Sequence, residues 1–159
     1  MKGKIFASLF ALPFLGVGVW MLWSVSTAFY DVYRMSDWVQ VEARLLSGGY
    51  SVHSGDDSNT YEAYAEYTYT VGGQAFISDR VSISTGADNI GDYQRDLGSR
   101  LRNAHAGGDD IVVWINPDNP SEAIIDRGIR WGLIGFKSIF LIVFGGFGGG
   151  LLFFAWRQP

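Results

Sequence analysis

The chain has only two histidines, His53 and His105, and each has an acidic pair nearby in sequence, Asp56-Asp57 and Asp109-Asp110. Imidazole and carboxylate hold metal ions and move protons near neutral pH. A metal centre needs several such ligands converging on one point. Here each histidine lies in its own Gly/Ser/Asp-rich stretch, cysteine is absent, and the acidic pairs lack the spacing of a calcium-binding loop. The strongest cation reading is weak binding at Asp56 beside His53, and a solvated polar loop explains the same residues. No serine has the flanking glycines of a nucleophile elbow. The glycine pairs at 72–73 and 107–108 are not followed by the Lys-Ser/Thr of a phosphate loop. The sequence therefore predicts no catalytic residue, no metal, no cofactor and no enzyme.

Charge narrows the partners. All sixteen acidic residues fall between Asp31 and Asp126, and every lysine lies outside residues 31–130. Eight arginines in that stretch leave it at a net charge of −8. Nucleic-acid phosphates require clustered Lys and Arg, so DNA and RNA are excluded as expected partners.

The alternation of side chains must position whatever this acidic segment does. Val39, Val41, Ala43 and Leu45 alternate with Gln40, Glu42 and Arg44, the pattern of a half-buried strand over residues 38–46. A polar loop is expected over 48–59. Residues 60–71, TYEAYAEYTYTV, alternate again. Tyr61, Ala63, Ala65, Tyr67 and Tyr69 share one face, and Glu62, Tyr64 and Glu66 share the other. A tyrosine stripe of this kind, Tyr61, Tyr67 and Tyr69, packs as the core face of its strand, and its alternative is a binding platform for a sugar or peptide. Tyr64, on the opposite face, is the tyrosine available to a partner or ligand, and with Asp56 it forms the candidate ligand surface. Gly72 and Gly73 read as a two-residue hairpin turn into a return strand over 74–83. Asp79 and Arg80 there suggest a local ion pair.

Asp88 or Asn89 reads as the cap of a short helix with Ile90, Tyr93, Leu97 and Leu101 on one side, although Gly98 weakens it. IVVWI at 111–115 is a strand, NPDNP at 116–120 is a rigid turn, and residues 123–125 are a last short strand.

Two apolar stretches bracket this segment. Residues 5–30 carry no charge, a run longer than the ~20 residues that span a bilayer. Residues 138–156 rise about 28 Å as a helix, close to the hydrocarbon thickness. Trp20, Trp23, Phe29, Tyr30, Trp131 and Trp156 cluster near the ends, as an interfacial aromatic belt does. Ser26 and Ala28 have the spacing of a signal-peptidase site. The length of the apolar run, with Lys2 and Lys4 before it, favours a retained anchor. Lys137 reads as a boundary anchor whose stem snorkels.

The second stretch holds GGFGGG, five glycines in six positions, each costing a helix roughly 1 kcal/mol in water. On an unbroken helical wheel Gly145, Gly146, Gly149, Gly150 and Ser138 share one side, while Phe140, Phe144, Phe147, Leu151 and Phe154 take the other. In lipid, small residues let helix backbones approach closely. Ala7, Ala11 and Gly18 form a narrower matching face on the first span, which Pro13 kinks. The expected occupants of the glycine face are the chain's own first span, and a membrane-protein partner or a second copy.

The run W38-V-Q-V-E-A43, the hairpin Y67-T-Y-T-V-G-G-Q-A-F-I-S-D-R80 and the turn V113-W-I-N-P-D-N-P-S-E-A123 occur in this order between two spans. Together they resemble the DUF3592 domain family, small bacterial membrane proteins. The resemblance implies this architecture and brings no catalytic residue, substrate or cofactor with it.

The expected fold is an α+β membrane protein. Residues 1–30 hold the first transmembrane helix, 31–130 a small, mostly antiparallel β domain with one short helix, and 131–159 a juxtamembrane segment with the second transmembrane helix. The expected location is the bacterial cytoplasmic membrane, with cytoplasmic termini and an extracytoplasmic β domain. The expected function is a non-enzymatic accessory or interaction protein. The alternative is a membrane-anchored binding module for a small envelope ligand, whether peptide, glycan or cation.

Overall fold

The computed structural model describes residues 2–56 and 58–157, so Asp57 of the Asp56-Asp57 pair lies outside the described residues. The chain forms two compact units, one from its two terminal segments and one from Asp31–Ile129.

The central unit is a five-stranded antiparallel sheet in the order β3-β2-β1-β4-β5. Its strands are β1 (Val39–Ser54), β2 (Asn59–Val71), β3 (Gln74–Ser78), β4 (Asp110–Ile115) and β5 (Ala123–Ile124). A helix, α2 (Tyr93–Gly107), packs Leu97 and Leu101 into a core with Ala43, Leu45, Ala65, Tyr67, Tyr69, Val113 and Ile115. Tyr67 and Tyr69 are therefore core residues, as their alternation requires. Gly72 and Gly73 take φ of +58° and +84°, the positive values that a tight hairpin turn needs.

Three elements differ from the sequence reading. The first is β1, which runs on to Ser54 where a polar loop was expected. Gly48 lies inside it because α2 presses on the strand there, and Gly49 because the Tyr64 side chain lies across it. A Cβ on Gly98 would sit 2.6 Å from the Tyr50 Cβ and 2.7 Å from the Gly49 carbonyl oxygen. Gly98 is thus the contact point of helix and sheet, and the missing side chain is what permits it. A bulge between Leu45 and Ser47 keeps the pairing with β2 in step on either side.

The second is β3, which ends at Ser78 instead of 83. The chain leaves β2 at Asp79, and its next residues bond elsewhere: Ile125 N–H donates to the Arg80 carbonyl at 3.2 Å and Asp126 N–H to the Val81 carbonyl at 2.9 Å. The expected Asp79–Arg80 ion pair gives way to Arg80 with Asp31, at 3.0 Å.

The third is the start of α2. The helix begins at Tyr93, after Asp88 has returned to pair with Tyr61. Asp88 is bonded to Ile90 N–H and Gln94 Nε2, so it orders the approach to the helix.

Side chains alternate across a sheet. Ile115 and Ala123 face α2, so Trp114 and Ile124 face the other way, where they form a second cluster with Met35, Trp38 and Ile83. Arg127 closes it, with its guanidinium carbon 3.5 Å from the Trp114 ring centre and a hydrogen bond to the Met35 carbonyl. The Asn-Pro turn is held by Asn116 N–H to the Glu122 carbonyl, and by Tyr69, whose hydroxyl donates to the Pro120 carbonyl at 2.7 Å.

The terminal unit pairs α1 (Lys2–Arg34) with a continuous helical run made of α3 (Trp131–Phe140), a π-helical turn (Leu141–Gly145) and α4 (Gly146–Arg157). Only 17 % of the most apolar stretch of the first helix and 6 % of that of the second is buried within the chain. Core helices of a soluble protein would be mostly covered, so the solvent for these faces is lipid. The chain is a multi-pass α+β membrane protein.

Candidate functional site

The two helices meet through small residues, but not through the set that an unbroken wheel selects. A Cβ on Gly18 would sit 2.7 Å from the Gly145 Cα. A Cβ on Gly148 would sit 2.9 Å from both the Leu15 amide nitrogen and the Leu15 Cγ, and 3.2 Å from the Ala11 carbonyl oxygen. Ala11 is fully buried there. The helix pair therefore uses Gly18, Gly145, Gly148 and Ala11. Around Gly146, Gly149 and Gly150 nothing among the described residues, their own helical backbone aside, lies within 4 Å of where a Cβ would lie.

The difference lies in which side of the helix meets α1. The π turn ends at Gly145 and the pitch beyond it is α-helical, so Gly145 and Gly148 lie about 60° apart while Gly146 and Gly150 lie about 160° from Gly148. Phe144 and Phe147, expected on the outer side, contact Phe14 at ring-centre distances of 6.0 and 4.9 Å. Ser138 is half-buried. Lys137 reaches across the pair and donates to the Ser24 hydroxyl at 2.8 Å, so its ammonium is engaged between the helices.

In the central unit, a cleft of about 500 Å³ opens along β2. Its origin is the bow of the chain between Ser78 and Asp88. β3 covers β2 only from Tyr67 to Val71, and Asp88 covers Tyr61 through two backbone bonds of 2.9 and 3.0 Å. Among the described residues, no strand lies beside residues 62–66 on that edge. Tyr61, Tyr67 and Tyr69 pair outward, so alternation aims the N–H and C=O of Ala63 and Ala65 into the cleft as well. Gln94, buried on the helix, accepts the Ala63 N–H at 3.0 Å and donates to the Gly86 carbonyl and to Asp88.

Tyr64 lines this cleft and is 48 % exposed, with Glu62 and Asp79 on the same rim. Glu66 adjoins it beside Asp79. The other candidate surface residue, Asp56, is exposed but does not line the cleft. Tyr64 lies across Gly49 of β1, where a Cβ would meet its hydroxyl at 3.0 Å. The sequence indicated Tyr64 as the outward tyrosine. It did not indicate Gln94, whose role depends on a helix reaching back over the strand edge.

The titratable candidates do not converge. His53 faces Glu62 at 3.5 Å, both exposed, and the Nδ1 of His105 lies 3.3 Å from the Leu45 carbonyl oxygen, joining helix to strand. No group of three or more His, Asp or Glu able to share a metal ion occurs among the described residues. Burial pushes the Tyr67 hydroxyl up to about 12, and burial raises that of Tyr69 as well. Both hydroxyls serve backbone carbonyls, those of Arg80 and Pro120.

No curated protein matches the chain. No solved structure matches it either. One family model does match, over residues 41–130, which covers β1 through the segment after β5 and more than half of the chain. The chain belongs to the family described as a domain of unknown function, DUF3592.

Proposed function

We propose that this is a non-enzymatic accessory protein of the bacterial cytoplasmic membrane, which docks on a membrane partner or a second copy through the second span. The observation that supports it is the division of the glycines. The helix pair needs glycine at Gly18, which faces Gly145, and at Gly148, and among the described residues it leaves open space at Gly146, Gly149 and Gly150. Close backbone approach by another helix is what such positions offer in lipid. The lysine-free composition of residues 31–130 supports an extracytoplasmic β domain with cytoplasmic termini.

The chain has no cysteine, so a single Gly149→Cys variant carries a unique thiol. Thiol crosslinking in native membranes is expected to trap one discrete adduct from Gly149→Cys and none from Phe154→Cys. Equal diffuse labelling from both positions contradicts the docking face.

A second reading, a binding module for a small envelope ligand, is favoured by the cleft beside Tyr64.

A further inference from the structure

We propose that the cleft along β2 binds a short extended peptide with cationic side chains, which adds to the sheet as a strand at Ala65. This inference rests on the binding-module reading and names the ligand class.

A sheet edge with unpaired backbone groups is a template for an incoming strand. Here the template is bounded. Asp88 occupies the strand position beside Tyr61 and Ser78 the one beside Tyr67, and among the described residues no strand pairs with positions 62–66 between them on this edge. Gln94 already supplies the acceptor that a strand would offer to the Ala63 N–H. At Ala65 no edge-side partner of the N–H or C=O occurs among the described residues, so both remain for the two bonds that a paired residue exchanges. The cleft volume of about 500 Å³ suits a segment of a few residues rather than a folded partner.

Alternation sets the side chains of the occupant. Positions opposite Ala63 and Ala65 point inward over small, buried residues and take alanine, serine or glycine. Positions opposite Glu62, Tyr64 and Glu66 point outward into a rim that also carries Asp79. Arg80, the basic residue of the lining, is committed to Asp31 at 3.0 Å. The rim is thus net acidic and selects Lys or Arg opposite Glu62 and Glu66, with a cation over the Tyr64 ring in between.

The test is a titration of the full chain in nanodiscs, with isotope-labelled alanine amides, by Ac-Lys-Ala-Lys-Ala-Lys-NH2. The Ala65 amide signal is expected to shift saturably. Affinity is expected to fall by about tenfold or more when both peptide alanines are N-methylated, and similarly in the Glu62→Gln/Glu66→Gln variant. Equal affinity of the N-methylated peptide would mean charge attraction without strand pairing, and would overturn the proposal. If neither peptide shifts Ala65 but chitotriose or calcium does, the peptide class is wrong and the binding-module reading stands. If none of these probes shifts it, both fall.

Discussion

Gly18 and Gly145 meet backbone to backbone, with room for no more than a hydrogen between them: a methyl carbon on Gly18 would lie 2.7 Å from the Gly145 Cα. The relation is not symmetric. A Cβ on Gly145 would find the Gly18 Cα at 3.8 Å and Leu141 Cδ1 at 3.6 Å, which is ordinary contact. Gly148 is as restricted as Gly18, because it faces the Leu15 backbone.

That asymmetry gives a mutational pattern. Gly18→Ala and Gly148→Ala are expected to destabilise the helix pair by about 1–3 kcal/mol through overpacking. Gly145→Ala and Gly149→Ala should cost little. Thermal unfolding in a fixed detergent reads the difference, and a uniform response across the four would contradict the contact.

Gly98→Ala separates two effects of opposite sign. Helix propensity alone favours alanine by about 1 kcal/mol. The added Cβ would lie 2.7 Å from the Gly49 carbonyl oxygen, which is backbone and cannot step aside cheaply. Net destabilisation of about 1–3 kcal/mol is expected. A stabilised variant in chemical denaturation would show that α2 does not rest on β1 there.

The same residue shows why part of the fold was legible and part was not. Alternation in residues 60–71 announced β2, its buried tyrosines and the outward Tyr64 without any knowledge of what packs on them. Gly48, Gly49 and Gly98 look like breakers in a sequence, because their use depends on a distant element: Gly48 and Gly98 are small where helix and strand touch, and Gly49 where Tyr64 crosses it. The open edge of β2 was hidden for a related reason. QAFISDRVSI reads as one strand, and only the competing bonds of Arg80 and Val81 with Ile125 and Asp126 pull its second half away. In the second span the glycines were visible, but their sorting into inner and outer sets was not, since composition does not say which side of the helix meets α1.

Gln94→Leu removes the acceptor of the Ala63 N–H and the bonds to Gly86 and Asp88. Buried groups left without partners cost about 1–3 kcal/mol each. The β domain should lose at least that much stability, with faster hydrogen exchange at Ala63. Unchanged exchange there would mean that Gln94 does not guard the edge.

Tyr67 predicts an alkaline limit. Its hydroxyl is held up to about 12 by burial, against 10.0 for an ordinary tyrosine. The folded state then keeps a proton that the unfolded chain releases, so stability is full below pH 10 and falls as pH rises toward 12. The loss through that window is on the order of 2–3 kcal/mol. Tyr67→Phe should lack this component of the alkaline slope while losing about 1 kcal/mol at neutral pH with its bond to the Arg80 carbonyl. An unchanged slope in the variant would place the titrating group elsewhere.

The side of the membrane is open to a simple labelling experiment. Ser54 is exposed at the end of β1. In intact cells a Ser54→Cys variant is expected to react with a membrane-impermeant maleimide. Labelling only after lysis would reverse the proposed orientation.

The proposed function turns on what occupies the outer glycine face. The most direct measurement is the molar ratio of co-purifying protein when the tagged chain is extracted from its native membrane in mild detergent, compared with a Gly146→Leu/Gly149→Leu variant that leaves Gly18, Gly145 and Gly148 intact. A fixed-ratio complex with a partner or a second copy is expected, and it disappears in the variant while the β domain remains folded. A lone monomer in both samples would contradict it.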